Sequence, residues 1–148
     1  FDKLEAMPLT EMAFKEALRL KPPVPSMPRR AVRDFTFKGF DVPGGTLIGI
    51  NPLFTHHMGE IWPEPDRFDP DRWTPEFRAA LPKFAYFPFG GGPRQCIGES
   101  FAWMELILLV ATISQQWRLR LVPGHPVVPQ PLITLRAKHG MMMTVERR

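Results

Sequence analysis

A glycine-rich segment that contains the chain's single cysteine constrains this sequence more than any other feature. It matches the pattern F-x-x-G-x-R-x-C-x-G at all its fixed positions, which are Phe89, Gly92, Arg94, Cys96 and Gly98. A chance match somewhere in such a chain has a probability on the order of 10⁻⁵. The apolar residues 98–116 follow, and their pattern predicts a helix. The cysteine is therefore expected on a turn that leads directly into a long helix.

The residue types in this segment suit a metal-bound, flat cofactor. The N–H groups and dipole at a helix N-terminus favour a thiolate at Cys96. Gly92 permits a tight turn, and Gly98 lets the helix begin close against a macrocycle. Arg94 offers a fork of donors that fits a haem propionate, and Phe89 would keep the sulfur dry. We therefore predict that Cys96 is the axial ligand of a haem iron.

Two other roles for Cys96 stay open on the residues alone. A lone cysteine is commonly a small buried hydrophobe. It is otherwise a nucleophile, which needs a general base, and the candidate bases have no recognisable spacing to it: His56, His57, His125 and His139. With one cysteine, neither a disulfide within the chain nor a multi-cysteine zinc or iron–sulfur site can form.

The composition narrows the class of protein. Hydrophobic residues make up 44% and charged residues 23%, as is typical of a soluble globular protein. The net charge of +4 is scattered, so nucleic-acid binding is not expected. The longest apolar run without a charge, residues 106–113, is far shorter than the roughly 18 residues that span a bilayer. No signal peptide is visible, and a cytoplasmic location is expected.

Periodicity predicts the main elements. A helix is expected over Pro8–Leu20, capped by Thr10 and ended by two prolines. Residues 34–40 and 46–50 read as the strands of a hairpin with its turn at 41–45. Residues 52–89 form a long stretch rich in proline and aromatic residues, and short strands are expected at 132–135 and 141–145. The helix over 98–116 is apolar almost all round, which predicts that it lies deep in a core.

Two further motifs combine acidic and basic residues. Glu16 and Arg19 are three residues apart on the predicted first helix, and Arg72 lies in the segment from Phe68 to Trp73. Each could be an ordinary solvated pair that contributes little to stability. Taken together, they predict that Glu16 is shared between the guanidinium groups of Arg19 and Arg72. Such a buried network costs desolvation and fixes one arrangement of loop and helix.

In this order, the three motifs resemble the C-terminal part of the cytochrome P450 family, and residues 87–99 look most like its soluble bacterial members. The likeness covers residues 1–148, which are expected to form one haem-binding part with a mainly α fold and small β-sheets (α+β). It implies haem b (iron protoporphyrin IX) as the cofactor. It also implies these roles: Cys96 as the iron ligand, Arg94 as a propionate contact, and Glu16, Arg19 and Arg72 as a structural triad.

The resemblance implies two more cofactor-binding residues. Arg30, just before the first strand of the hairpin, is similar to a second propionate-binding arginine. His56, six residues before Trp62, is similar to a histidine that the family commonly has at this spacing. Both are therefore expected at the haem site.

The implied activity is that of a haem-thiolate monooxygenase. Such an enzyme inserts one oxygen atom of O₂ into a small hydrophobic organic substrate, with electrons from NAD(P)H delivered by a ferredoxin or a flavoprotein reductase. The family's distal helix, with its acidic residue–threonine pair, has no counterpart here, so no catalytic residue is visible. Because the chain also starts at Phe1, we expect the last third of an enzyme. The alternative is a non-catalytic haem-binding remnant or a haem sensor module.

Overall fold

The computed structural model describes residues 7–148 as helices with small antiparallel sheets, which confirms the expected mainly α fold with small β-sheets. Its helices are α1 (Pro8–Leu20), α2 (Pro52–Thr55), α3 (Pro75–Ala80) and α4 (Glu99–Gln116), with 3₁₀ turns at Pro70–Arg72 and Gly92–Arg94. The strands before α2 are β1 (Met27–Arg30), β2 (Phe35–Phe37), β3 (Phe40–Val42) and β4 (Leu47–Ile50). Those after α4 are β5 (Trp117–Leu121), β6 (Pro129–Pro131), β7 (Leu135–Ala137) and β8 (Met143–Arg147).

Helix α1 has the predicted bounds but not the predicted cap. Its N-cap is Met7, whose side chain makes no capping hydrogen bond, and Pro8 is the first helical residue. Proline is favoured there because its missing N–H would have no partner in the first turn, and its φ already suits a helix. The helix therefore starts ahead of Thr10, and the prediction that Thr10 caps it is wrong.

The predicted hairpin is wrong in its pairing. Strand β2 pairs with β3 around Lys38 and Gly39, which both have positive φ (47° and 84°). Two such residues form the tight turn that antiparallel strands prefer. Strand β4 instead pairs with β1 in the register Met27 to Ile50. The predicted turn at 41–45 is therefore wrong, since residues 41–42 belong to β3 and residues 43–46 connect two separate sheets.

The C-terminal strands also differ from the sequence prediction. Strand β5, which continues directly from α4, pairs with β8, and β6 pairs with β7. Most of the predicted strand over 132–135 lies in the turn between β6 and β7, where Leu132 N donates to Thr134 O. Strand β5 was missed because its alternating residues follow the helical pattern of α4 without a break.

The long segment from α2 to the cysteine contributes most of the buried aromatic surface. Trp62 (0% exposed) and Trp73 (5%) pack together with their ring centroids 5.5 Å apart, and Leu18 of α1 is buried as well. Long loops inside compact domains are usually either functional or tightly packed. This cluster joins α1 to the segment that precedes Cys96.

Helix α4 is confirmed over its predicted length, with Gly98 as its N-cap. Among the described residues it contacts α1 and β5, and Ile107 is its buried side chain, so these residues leave most of its surface exposed. Its exposed apolar residues are Phe101, Leu108, Leu109, Val110 and Ile113. Within residues 7–148, no helix is both long and apolar enough to cross a bilayer.

Candidate functional site

The side chain of Glu16 is the centre of a buried hydrogen-bond network. Its Oε1 accepts from Arg19 Nη2 at 2.9 Å and from Arg72 Nε at 3.0 Å, and the N–H of Asp69 donates to the same oxygen at 3.0 Å. Its Oε2 accepts from Arg19 Nε and from Trp73 Nε1, each at 3.0 Å. The structure thus brings Glu16, Arg19 and Arg72 together. Trp73 is a further member that the sequence prediction missed, although it directly follows Arg72.

The two arginines also hold backbone carbonyls of the long segment after β4. Arg19 Nη1 donates to the carbonyl oxygens of His56 and Pro65, both at 2.7 Å. Arg72 Nη1 donates to Pro63 O at 2.8 Å. A planar guanidinium can hold several acceptors in fixed directions at once. The triad therefore fastens this segment onto α1.

The charge state of Glu16 follows from its partners. Burial alone would raise the pKa of this carboxyl group, but hydrogen bonds from Arg19, Asp69 and Arg72 and the charge of Arg19 together hold the pKa below its ordinary value. Both Glu16 and Arg19 are 0% exposed. The carboxylate is therefore ionised at neutral pH, as the two guanidinium groups require.

His56 lies inside this cluster and not on a surface that a cofactor can reach. Its side chain is 0% exposed, and its Nε2 accepts from the N–H of Phe87 at 3.0 Å. Its ring packs against those of Tyr86 and Phe87, each with centroids 5.3 Å away. Burial lowers the pKa of His56 to about 4, and the nearby charge of Arg19 contributes to the lowering. We therefore correct its expected role from cofactor contact to buried acceptor.

The cysteine loop, residues 87–98, is closed by backbone hydrogen bonds. Gly90 N donates to Phe87 O, and Cys96 N donates to Phe89 O, both at 2.9 Å. Gly90 and Gly92 adopt positive φ values of 77° and 65°, which residues with a side chain rarely do. The loop backbone thereby presents Cys96 at its end with the thiol exposed.

Two backbone N–H groups without hydrogen-bond partners in the described part of the chain follow Cys96, and Gly98 lies close to its sulfur. Within residues 7–148, the N–H groups of Ile97 and Gly98 donate no hydrogen bond. A Cβ built on Gly98 would lie 3.8 Å from Cys96 Sγ, in ordinary van der Waals contact with the sulfur. Phe89 is half-buried against Trp103, with ring centroids 6.1 Å apart. The next residue, Ile97, is an exposed apolar side chain.

Arg94 and Arg30 have different placements. Arg94 is exposed in the 3₁₀ turn before Cys96, and its guanidinium makes no hydrogen bond to any described residue. Arg30 donates to Gly45 O at 2.8 Å, away from the cysteine loop. Its neighbour Arg29 instead lines a hollow of about 380 Å³ that also borders the loop at Gly90 and Gly91.

Strand alternation explains why Arg29, and not Arg30, lines this hollow. Successive side chains of a strand point to opposite faces, so Arg29 shares the face of Met27. Met27 Sδ lies 3.4 Å from the position that a Cβ on Gly90 would occupy, which identifies this face as the one against the loop. The alternation of β1 could have shown this, had the pairing with β4 been recognised.

Gly91 is the position in the cysteine loop where added volume has the clearest cost. A Cβ there would lie 2.5 Å from Cε1 of the Phe84 ring, so the ring has to move. We expect Gly91→Ala to lower the free energy of unfolding by about 1 kcal/mol through overpacking. Urea unfolding followed by tryptophan fluorescence measures it.

Two further variants test whether the contact with Phe84 causes this loss of stability. Gly59→Ala is the matched control, because a Cβ at Gly59 meets nothing within 4 Å. Adding Phe84→Ala to Gly91→Ala is expected to restore most of the loss. Equal effects of Gly91→Ala and Gly59→Ala would contradict the contact.

The chemistry of these groups suits haem. An exposed thiol provides a soft ligand for iron, unpaired N–H groups beside it can donate to a bound sulfur, and two arginines at the loop can pair with carboxylates. No group of three or more His, Cys, Asp or Glu side chains in the described chain could hold a metal ion by itself. A metal at Cys96 would therefore need ligands other than the His, Cys, Asp and Glu side chains of the described residues.

Known proteins show clear similarity to this chain. The family model described as Cytochrome P450 matches residues 1–144. Taurochenodeoxycholic 6 alpha-hydroxylase from Sus scrofa is 38% identical over 148 residues, which cover 99% of this chain and 29% of that protein. Cyclooctatin synthase from Streptomyces melanosporofaciens is 39% identical over 128 residues, or 86% of this chain and 28% of that protein.

A solved structure gives the same result for the fold. The structure of retinoic acid-bound cyanobacterial CYP120A1 matches with a TM-score of 0.94 and 34% identity, over 99% of this chain and 35% of that one. The chain thus spans roughly a third of the length of the relatives that it matches. Bacterial and mammalian proteins are both among them.

Proposed function

The chain belongs to the cytochrome P450 family, and on that premise we propose that it forms the haem-binding part of a haem-thiolate monooxygenase, with Cys96 as the iron ligand. The observation that carries the proposal is the exposed thiol at the end of a hydrogen-bonded loop, beside N–H groups without partners. The name of the pig relative describes a hydroxylase, an activity that agrees with this proposal.

Each residue of the loop has a proposed task toward haem b. Cys96 donates its thiolate to the iron, and the N–H groups of Ile97 and Gly98 donate to that sulfur, which limits its charge. Arg94 and Arg29 pair with the propionate carboxylates. Phe89, packed on Trp103, keeps water from the sulfur. When bound, the haem supplies an iron centre at which O₂ is activated.

The rest of the proposal concerns the whole enzyme. Its substrate is a small hydrophobic organic molecule that receives one oxygen atom of O₂. Two electrons come from NAD(P)H through a ferredoxin or a flavoprotein reductase, as is general for this chemistry. Within the described residues, the groups around Cys96 serve to hold the cofactor, and none is placed as a catalytic acid or base.

The experiment is haem titration of the purified chain and of Cys96→Ala, followed by reduction and addition of carbon monoxide. The native chain is expected to give the red-shifted Soret band of a thiolate–carbonyl complex, and Cys96→Ala to lack it. We expect weak uptake, because the exposed face around Cys96 covers one side of a haem, so the type of spectrum is the readout and not the yield. Identical spectra from the two proteins would refute ligation by Cys96.

Arg94→Ala and Arg29→Ala extend the same titration, with Arg30→Ala as the matched control from the opposite face of β1. The two loop-facing variants are expected to weaken haem uptake without changing the type of spectrum, because removing a partner of a propionate leaves the sulfur in place. The control is expected to bind haem as the native chain does.

A further inference from the structure

His56 contacts both the Glu16 network and the cysteine loop. Its carbonyl oxygen accepts from Arg19 Nη1 of that network at 2.7 Å. Its ring nitrogen Nε2 accepts from the N–H of Phe87 at 3.0 Å. Phe87 is the first residue of the cysteine loop, so the ring connects α1 and its triad to the backbone that leads to Cys96.

From Phe87 the connection continues through two backbone hydrogen bonds. The carbonyl of Phe87 accepts from Gly90 N, and the carbonyl of Phe89 accepts from Cys96 N, each at 2.9 Å. The Phe87 N–H belongs to the peptide before Phe87 and the Phe87 carbonyl to the peptide after it, so the ring of His56 anchors the residue at which the turn to Gly90 begins. The same loop leads on to the Phe89 carbonyl, which accepts from the amide of Cys96.

The protonation of the His56 ring follows from these partners. Because Phe87 N–H donates to Nε2, that nitrogen carries no proton, and the proton of the neutral ring is on Nδ1. Within the described residues, this buried Nδ1 has no hydrogen-bond partner. A buried donor without an acceptor destabilises a fold. An apolar ring would avoid that cost, so the favourable contribution of a histidine here is its Nε2 acceptor.

We propose that His56 is a positioning residue for Cys96, which acts by accepting the N–H of Phe87 and thereby fixing the carbonyl of Phe89 that holds the cysteine amide. This proposal rests on the proposed function only in taking Cys96 as the iron ligand. Its test needs no haem.

The experiment compares amide hydrogen exchange in the haem-free chain for the native protein, His56→Leu and His56→Gln. Leucine removes the acceptor, whereas the side-chain oxygen of glutamine can replace Nε2. We expect His56→Leu to speed exchange at Phe87, Gly90 and Cys96 by about fivefold, the factor that corresponds to one lost hydrogen bond. His56→Gln is expected to restore exchange at these amides to near the native rate.

Amides outside the loop separate positioning from a general loss of stability. Lys21 N donates to Ala17 O at the end of α1 and is the internal reference. Faster exchange at Lys21 equal to that at Cys96 would show a merely structural role and overturn the proposal. His57→Leu is the matched control, because the His57 ring contacts Leu53 O and not the loop. It is expected to leave the exchange of Cys96 unchanged.

Two readouts on the same proteins complete the test. Cys96 is the chain's single cysteine, so the rate of its reaction with a disulfide reagent reports on this thiol alone. That rate is expected to change in His56→Leu and to return in His56→Gln. In the native chain, a nitrogen-15 spectrum of the histidine rings at neutral pH is expected to show the proton of His56 on Nδ1. A proton on Nε2 would overturn the proposal even if His56→Leu failed to fold.

Discussion

Glu16→Gln is expected to lower the free energy of unfolding by about 3–5 kcal/mol, the usual cost of removing one partner from a buried ion pair. Glutamine keeps one acceptor oxygen and replaces the other with an NH₂ group. If that group takes the place of Oε2, it faces two donors, Arg19 Nε and Trp73 Nε1. The opposite orientation is worse, since Oε1 accepts from three donors. Urea unfolding followed by tryptophan fluorescence measures the loss.

The control for this prediction is the same substitution in an exposed pair of the same spacing. Glu64 and Arg67 are also three residues apart, with Arg67 Nη1 2.8 Å from Glu64 Oε2, but both side chains are more than half exposed. Exposed pairs contribute little because water competes for both charges. We expect Glu64→Gln to leave the unfolding midpoint almost unchanged. Equal midpoints for the two variants would show that burial of Glu16 does not govern the effect.

The sequence predicted the local features of the site and missed those that depend on pairing across the chain. The bounds of α1, the start of α4 at Gly98 and the turn before Cys96 all follow from proline, glycine and helical spacing, which act within a few residues. The sequence prediction chose Arg30, whereas Arg29 lines the hollow beside the loop, because the choice depends on which strand pairs with β1. Local residue patterns do not determine which strands pair when the strands are far apart in the sequence.

Burial was the other property that the sequence could not give. The same apolar character that predicted a core position for α4 is present on a helix that the described residues cover only around Ile107. His56 was assigned to the haem site because its spacing from Trp62 resembles that of a family histidine, whereas its ring is enclosed by aromatic residues. Periodicity shows which side chains avoid water but not which neighbours cover them.

The stability of the chain is expected to fall by about 3 kcal/mol between pH 6.5 and pH 4 because of His56 alone, at 1.36 kcal/mol for each pH unit. Burial lowers the pKa of this histidine from 6.5 to about 4 in the folded chain. Within that window the unfolded chain binds a proton that the folded chain does not, so stability rises with pH. It is fully present above pH 6.5 and is lost as the pH falls through the window.

Glu16 adds a second loss at lower pH. Its pKa in the folded chain lies below the ordinary value of 4.5, because its hydrogen-bond donors outweigh the effect of burial. Its contribution is therefore present above pH 4.5 and disappears as the pH falls further. The two groups can be separated, since His56 acts mainly above the pH at which Glu16 begins to take up a proton.

His56→Gln isolates the contribution of the histidine, because glutamine keeps an acceptor for Phe87 but does not titrate. Unfolding free energies of the native chain and this variant, measured by urea titration at intervals from pH 7 to pH 4, are expected to differ in slope across the window. The native chain is expected to lose about 3 kcal/mol more than the variant. Parallel pH profiles for the native chain and His56→Gln would mean that the buried ring takes up its proton as freely as it does in the unfolded chain.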